Sequence, residues 1–202
     1  MRKDDRVDKR IVRSRAAIMQ AFEKLLLEKP LADITVSAIA REAGIDRKTF
    51  YVHFGTVDGL LDAIAEDAVN QIVDAVDEKI GSVIRDLTSA QDAVNAFFSA
   101  VNEAVCNNLV LNRRLMENIP LDEFMTRVRK PLEQRLRERQ YVSISLVDDL
   151  YDYYVSYILS GIIGIYRSWS LNKDGVPLER VSEVANELTM FGLSSLKAKS
   201  EA

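Results

Sequence analysis

The chain has 202 residues, 48% hydrophobic and 29% charged, which is enough for one medium helical domain and a small accessory one around a real core. A single cysteine (Cys106) excludes an intrachain disulfide, and a single histidine (His53) argues against a histidine-based metal site or a Ser-His-Asp triad. The net charge of −4 is unevenly spread: residues 1–57 hold 12 Lys+Arg against 8 Asp+Glu, and residues 58–202 hold 15 against 23, so only one end suits a polyanion.

Arg2, Lys3, Arg6, Lys9, Arg10, Arg13 and Arg15 form a basic lead-in interleaved with Asp4, Asp5 and Asp8. It runs into a helical pattern with Ile11, Ile18, Phe22, Leu25 and Leu26 on one face, ended by Pro30. Thr35 is a candidate N-cap for a short helix, Val36 to Ala43, with Val36, Ile39 and Ala40 inward. Gly44 follows as a left-handed turn residue, and Asp46 caps a second short helix from Arg47 to about Phe54, stopped by Gly55. A long amphipathic helix is expected over roughly 57–84, with Leu60, Leu61, Ile64, Ala68, Ile72 and Val76 as its core stripe. Ser89 and Asp92 resemble a capping box for the next helix, followed by a shorter piece around 108–117 and a helix from Pro120 to about Gln140. Ser145 and Asp148 are expected to cap a long helix over 146–172. Asp174-Gly175 breaks it, and Pro177 opens a last helix to about Lys197. No stretch alternates with period two, so no sheet is expected. The fold class is all-α, with an N-terminal three-helix unit over 1–56 and a helical body over 57–202.

The stretch that carries function is TVSAIAREAGIDRKTFYVHFGTVDGLL, Thr35 to Leu61. A short helix, a glycine turn and a second short helix are the parts of a helix-turn-helix. Ile39 and Ala40 are expected to pack on Phe50 and Phe54, leaving Arg47, Lys48, Thr49, Tyr51 and His53 outward. Such donors read base edges or hold phosphates in the major groove of double-stranded DNA. The segment resembles the DNA-binding domain of the TetR/AcrR regulators, whose hallmark is G-[IV]-x-x-x-[TS]-[LF]-Y-x-[HY]-F. Gly44, Ile45, Thr49, Phe50, Tyr51, His53 and Phe54 each match it, and the likeness runs from about Arg10 to Ala65. The resemblance implies a dimer that represses at a palindromic operator and is released by a small-molecule effector. It assigns Thr35 and Ser37 to the DNA backbone, Arg47, Lys48 and Thr49 to base edges, and Tyr51 and His53 to phosphates. One departure stands out. Where the family usually has a phosphate-holding lysine this chain has Val57, so either that phosphate goes unheld or the basic arm of Arg2, Lys3 and Arg6 holds it instead.

The C-terminal helices hold Tyr151, Tyr153, Tyr154, Tyr157, Tyr166 and Trp169, which at helical spacing read as core, interface or cavity wall. Gly161 and Gly164 allow a close helix approach, so the last two long helices are expected to form a four-helix homodimer interface. Candidate effector-binding residues are Phe97, Phe98, Val101, Met116, Phe124, Met125, Tyr154 and Tyr157, an apolar set suited to a hydrophobic or aromatic ligand. Arg113 and Arg114 read as a solvated pair or as anchors for an anionic effector, and Cys106 as a small core residue. No nucleophile elbow, phosphate-binding glycine loop or metal cluster is present, so neither an enzyme nor a cofactor is expected. No apolar run approaches the ~20 residues of a membrane span, the charged N-terminus is not that of a signal peptide, and the cytoplasm is the expected compartment. The rival readings are an activator and a binding or scaffold protein of the same fold with vestigial DNA binding.

Overall fold

With eight glycines and four prolines the chain has little to interrupt a helix, and the described residues form helices and turns without a strand. The computed structural model describes residues 3–80, 87–107, 109–139, 151–172 and 175–200. In chain order these are α1 (Lys3–Glu28), a 3-10 turn (Leu31–Asp33), α2 (Val36–Glu42), α3 (Arg47–Phe54) and α4 (Val57–Ile80). Then come α5 (Leu87–Asn107), α6 (Leu109–Asn118), α7 (Leu121–Arg139), α8 (Tyr151–Leu171) and α9 (Leu178–Ser200).

Several boundaries follow the local signals. Gly175 takes φ +72 ahead of α9, and Pro120 stands just before α7, accepting the Phe124 N–H at 2.9 Å. Others do not. Helix α5 already includes Leu87, so Ser89 lies inside the helix and is no N-cap. The expected cap at Ser145 and Asp148 lies outside the described residues. Along α4, Leu60, Leu61 and Val76 are buried as the periodicity requires, but Val69 and Val73 are more deeply buried than Ala68 and Ile72. The reason is that α4 packs against α5 and α7 at once, so its covered face is wider than a single stripe.

Two apolar cores succeed one another along α4, which at ~1.5 Å per residue is roughly 36 Å long, and a third lies among α5, α8 and α9. The first joins α1, α2 and α3 through Ile18, Phe22, Ile39, Phe50 and Phe54. It is closed from the other side by Leu60 and Leu61 of α4 and by Leu111, Leu115 and Ile119 of α6 and its C-terminal end. The second lies among Val69, Val73 and Val76 of α4, Ala96 of α5, Leu132 of α7 and Leu159 of α8. The third is held by Phe98, Val101 and Val105 of α5 against Ile162 and Tyr166 of α8 and Leu178 of α9. Burying such side chains contributes about 1.5–3 kcal/mol each, so the deeply buried positions, not helix propensity, fix where the helices sit.

Candidate nucleic-acid interface

The interface is assembled from local signals that agree with one another. Thr35 is extended (φ −110, ψ 155) and its Oγ1 accepts the Ala38 N–H at 3.2 Å, which caps α2. Ala38, Ile39 and Ala40 are buried, with Ala40 at 2% exposure where a larger side chain has no room. After α2, Gly44 turns the chain at φ +64 while Ile45 N–H reaches back to the Ala40 carbonyl at 3.0 Å. Asp46 then caps α3, its Oδ1 accepting the Lys48 N–H at 2.7 Å. Phe50 and Phe54 point inward with ring centroids 5.8 Å apart and lock α3 against the first core.

What remains outward on α3 is a set of donors. Arg47, Lys48 and Tyr51 are exposed and Thr49 is half-buried. Thr35 and Ser37 stand at the start of α2, and Arg47 Nη1 donates to Ser37 Oγ at 3.3 Å, so the starts of the two helices are linked. His53 is half-buried, and its Nε2 lies 2.6 Å from Ser14 Oγ on α1. Ser14 also donates to the Arg10 carbonyl at 2.9 Å, so the ring of His53 is already engaged with α1 on its Nε2 side. Val52, which the sequence motif passes over, is 76% exposed between Lys48 and Thr49 on the outer arc of α3. An outward apolar side chain on such a helix suits a thymine methyl. Its signal was available, because Val52 stands opposite Phe50 and Phe54 on the helical wheel.

The link from α3 to α4 is tight. Gly55 adopts φ +68, ψ −56, and Thr56 N–H bonds the Phe54 carbonyl at 2.7 Å, the geometry of a strained γ-turn that glycine tolerates. Thr56 Oγ1 accepts the Gly59 N–H at 2.9 Å. A Cβ on Gly59 would lie 2.1 Å from the Phe54 carbonyl oxygen, so this glycine is required for the approach of α4 to α3. Val57 packs half-buried against the first core, so its side chain serves packing and supplies no phosphate donor.

Arg127 of α7 reaches this same corner. Its side chain is 12% exposed, and it donates to the Asp58 carbonyl at 3.1 Å, to Asp58 Oδ1 at 3.0 Å, to Glu123 Oε1 at 2.6 Å and to Asp62 Oδ1. Burial opposes its charge, but the hydrogen bonds with Glu123 and Asp62 outweigh that and raise its pKa above the ordinary arginine value. Asn118 Oδ1 accepts the Leu31 N–H at 3.2 Å, which ties α6 to the 3-10 turn between α1 and α2.

The candidate effector residues are distributed over the body. Phe98 and Val101 belong to the third core, and Phe97 touches both second and third. Met116 is buried on α6 with its sulfur 2.8 Å from Ser170 Oγ, Phe124 packs on the first core, and Met125 on the second. Tyr157 departs from this set. It is 80% exposed, beside exposed Tyr153 and Gly161 on the outer face of α8, and does not line the interior. The side chain of Tyr154 lies outside the described residues. On α9, Val184, Leu188 and Phe191 are likewise exposed, at 50%, 62% and 78%. Trp169 is half-buried, its Nε1 donating to the Val176 carbonyl at 2.7 Å. Cys106 is exposed, not a core residue as expected. Arg114 pairs with Glu117 at 3.4 Å, while Arg113 is half-buried. Among the described residues there is no cluster of three or more His, Cys, Asp or Glu fit for a metal, and no helix is long and apolar enough to cross a membrane.

Residues 18–64 match the family model described as bacterial regulatory proteins, tetR family. Over 166 residues, 82% of its length, the chain is 29% identical to the uncharacterised HTH-type transcriptional regulator YxbF of Bacillus subtilis (strain 168), covering 42% of that protein. Over 55 residues, 27% of its length, it is 44% identical to the HTH-type transcriptional regulator EthR of Mycobacterium tuberculosis (strain ATCC 25618 / H37Rv), covering 26% of that protein. The chain thus matches less than half the length of either relative. Its fold is similar to the crystal structure of a TetR transcriptional regulator from Streptococcus agalactiae 2603V, with a TM-score of 0.57 and 20% identity, covering 93% of this chain and 99% of that one.

Proposed function

We propose that the chain is a ligand-responsive repressor of the tetR type, a cytoplasmic homodimer that reads a palindromic operator and is released by a small-molecule effector; the family-model match over residues 18–64 supports this reading. The observation that carries this reading is the outer face of α3. Arg47, Lys48, Tyr51 and Val52 stand in solvent on a helix that two buried phenylalanines hold rigid. Arg47, Lys48 and Thr49 take the base edges. Tyr51 and His53 take phosphates, as do Thr35 and Ser37 at the start of α2.

Two such helices enter successive major grooves when a two-fold axis sets them about 34–36 Å apart. The uncovered apolar faces of α8 and α9, with Tyr157, Gly161, Leu188 and Phe191, supply that axis as a self-complementary four-helix contact. The effector binds in the body among Phe97, Phe98, Val101, Met125 and Tyr154, near Met116 and Phe124. It favours a dimer whose reading helices are wrongly spaced, so the DNA-bound population falls. Helix α4 carries that change as a lever, and Arg127 is the clasp by which α7 grips its first turn.

The test is a gel shift of the purified chain against the DNA upstream of its own gene. A shift that survives excess random duplex is the expected result, and equal affinity for both duplexes would overturn operator recognition. Sedimentation of Phe191→Glu with Leu188→Glu checks the axis. Monomers without operator binding are expected, and a variant that stays dimeric would move the interface elsewhere. A reporter fused to that upstream region separates repression from activation by the sign of its response to deleting the gene.

A further inference from the structure

Helix α1 is longer than the reading head requires. From Lys9 onward its fully buried positions begin at Ile18 (0% exposed), whereas every residue from Lys9 to Arg13 is exposed, the apolar Ile11 (47%) and Val12 (62%) included. A turn bare on all sides gains nothing from packing, and a β-branched pair adds little intrinsic helicity. Its charge is what distinguishes it. Lys9, Arg10 and Arg13 fall within one side of the helix at ~100° per residue, and among the described residues none of them has an ion-pair partner. The register positions of Asp4 and Asp8 fall on the opposite side and that of Asp5 at its edge, one turn before Lys9. This basic turn is also fixed in place relative to α3, because Ser14 touches His53 at 2.6 Å and bonds the Arg10 carbonyl at 2.9 Å. It therefore emerges beside the last turn of α3.

We propose that this N-terminal extension of α1, through Lys9, Arg10 and Arg13, is a second DNA-contacting surface that grips duplex phosphates flanking the groove entered by α3. The surface is continuous with the reading face through the Ser14–His53 contact, and its chemistry suits a rigid row of anions rather than base edges. The proposal rests on α3 being the DNA reader.

The test is the salt dependence of binding for the full chain and for Lys9→Gln with Arg10→Gln and Arg13→Gln, glutamine keeping the helix propensity. Every phosphate that is no longer neutralised takes about 0.9 off the slope of log affinity against log salt. Three such phosphates should lower the slope by roughly 2–3, so that the affinity gap to the parent shrinks by up to about 40-fold between 50 and 200 mM salt. The loss should be equal on upstream DNA and on random duplex of the same length, with circular dichroism and melting temperature unchanged. An unchanged slope, or a loss confined to the upstream DNA, would overturn the proposal while leaving α3 as reader. A parent chain that binds no duplex at 50 mM salt would overturn both.

Discussion

Gly59→Ala is the substitution whose consequence can be worked most directly from the structure. The new Cβ would meet the Phe54 carbonyl oxygen at 2.1 Å, against a 3.0 Å floor that real Cβ atoms essentially never breach, so the two must part by at least 0.9 Å. That oxygen is backbone and already accepts the Thr56 N–H at 2.7 Å, so the movement opens the turn at Gly55. It also pulls Gly59 N–H away from Thr56 Oγ1, now 2.9 Å off. Losing a hydrogen bond and a cap costs about 1 kcal/mol each, and the gain of Ala over Gly in a helix returns up to ~1 kcal/mol. With residual strain the net loss is about 1–2 kcal/mol, a fall in Tm of roughly 2–8 °C for a chain of this size. Scanning calorimetry of Gly59→Ala against the parent reads the difference. A Gly59→Ala protein that melts no lower than the parent and binds the operator equally well would refute the claim that this corner depends on its glycine.

Replacing Arg127 with Gln leaves Asp58, Asp62 and Glu123 facing one another without a cation. Since these carboxylates are 43–77% exposed, water screens much of the repulsion and the loss should be about 1–2 kcal/mol, read as a lower urea midpoint. The raised pKa of Arg127 keeps it charged to the top of the accessible range, so this contribution should not change between pH 6 and 10; a midpoint difference that varies over that span would contradict it. Burial raises the Tyr166 phenol above its usual value near 10, with Cys106 adding and the bond to Ser182 opposing. The neutral phenol is therefore favoured in the fold, and its contribution is complete below pH ~10 and lost as pH rises through the raised value. The stability gap between the parent and Tyr166→Phe should accordingly narrow above pH 10 in urea titrations, and a constant gap would exclude the linkage. Arg47→Ala and Lys48→Ala should each lose about 1–3 kcal/mol at the operator and less on random duplex, whereas Tyr51→Phe should weaken both alike in fluorescence anisotropy.

The helix-turn-helix was legible because its determinants are local. Thr35 and Asp46 cap helices within three residues of themselves, Gly44 turns where only a positive φ serves, and Phe50 and Phe54 lie four apart on one face. The motif also brought out the outward donors, though not the second engagement of His53, whose partner Ser14 is 39 residues away. Distance along the chain hid the Arg127 clasp for the same reason, its α4 partners being 65 and 69 positions off. The exposure of Tyr157 was not legible because aromatic spacing marks a helix face without saying what covers it, and only the packing of α8 on α6, α7 and α9 shows that this face is the bare one. At Val57 the sequence revealed a missing charge, but not that the residue had been recruited to a core.

The first core has a practical consequence for anyone wishing to exchange parts. Its floor is built by α1, α2 and α3, but its roof is Leu60 and Leu61 together with Leu111, Leu115 and Ile119, the last three lying more than fifty residues further along the chain than α3. A reading head excised before α4 would expose that apolar surface to water. A hybrid that joined it to a foreign sensor body would set it against a face shaped for other side chains. Transplanting the proposed DNA preference is therefore better done by grafting the outward residues of α3 onto a host head than by splicing at a linker. Conversely, a new sensor should be fitted by retaining α6 and varying the helices beyond it.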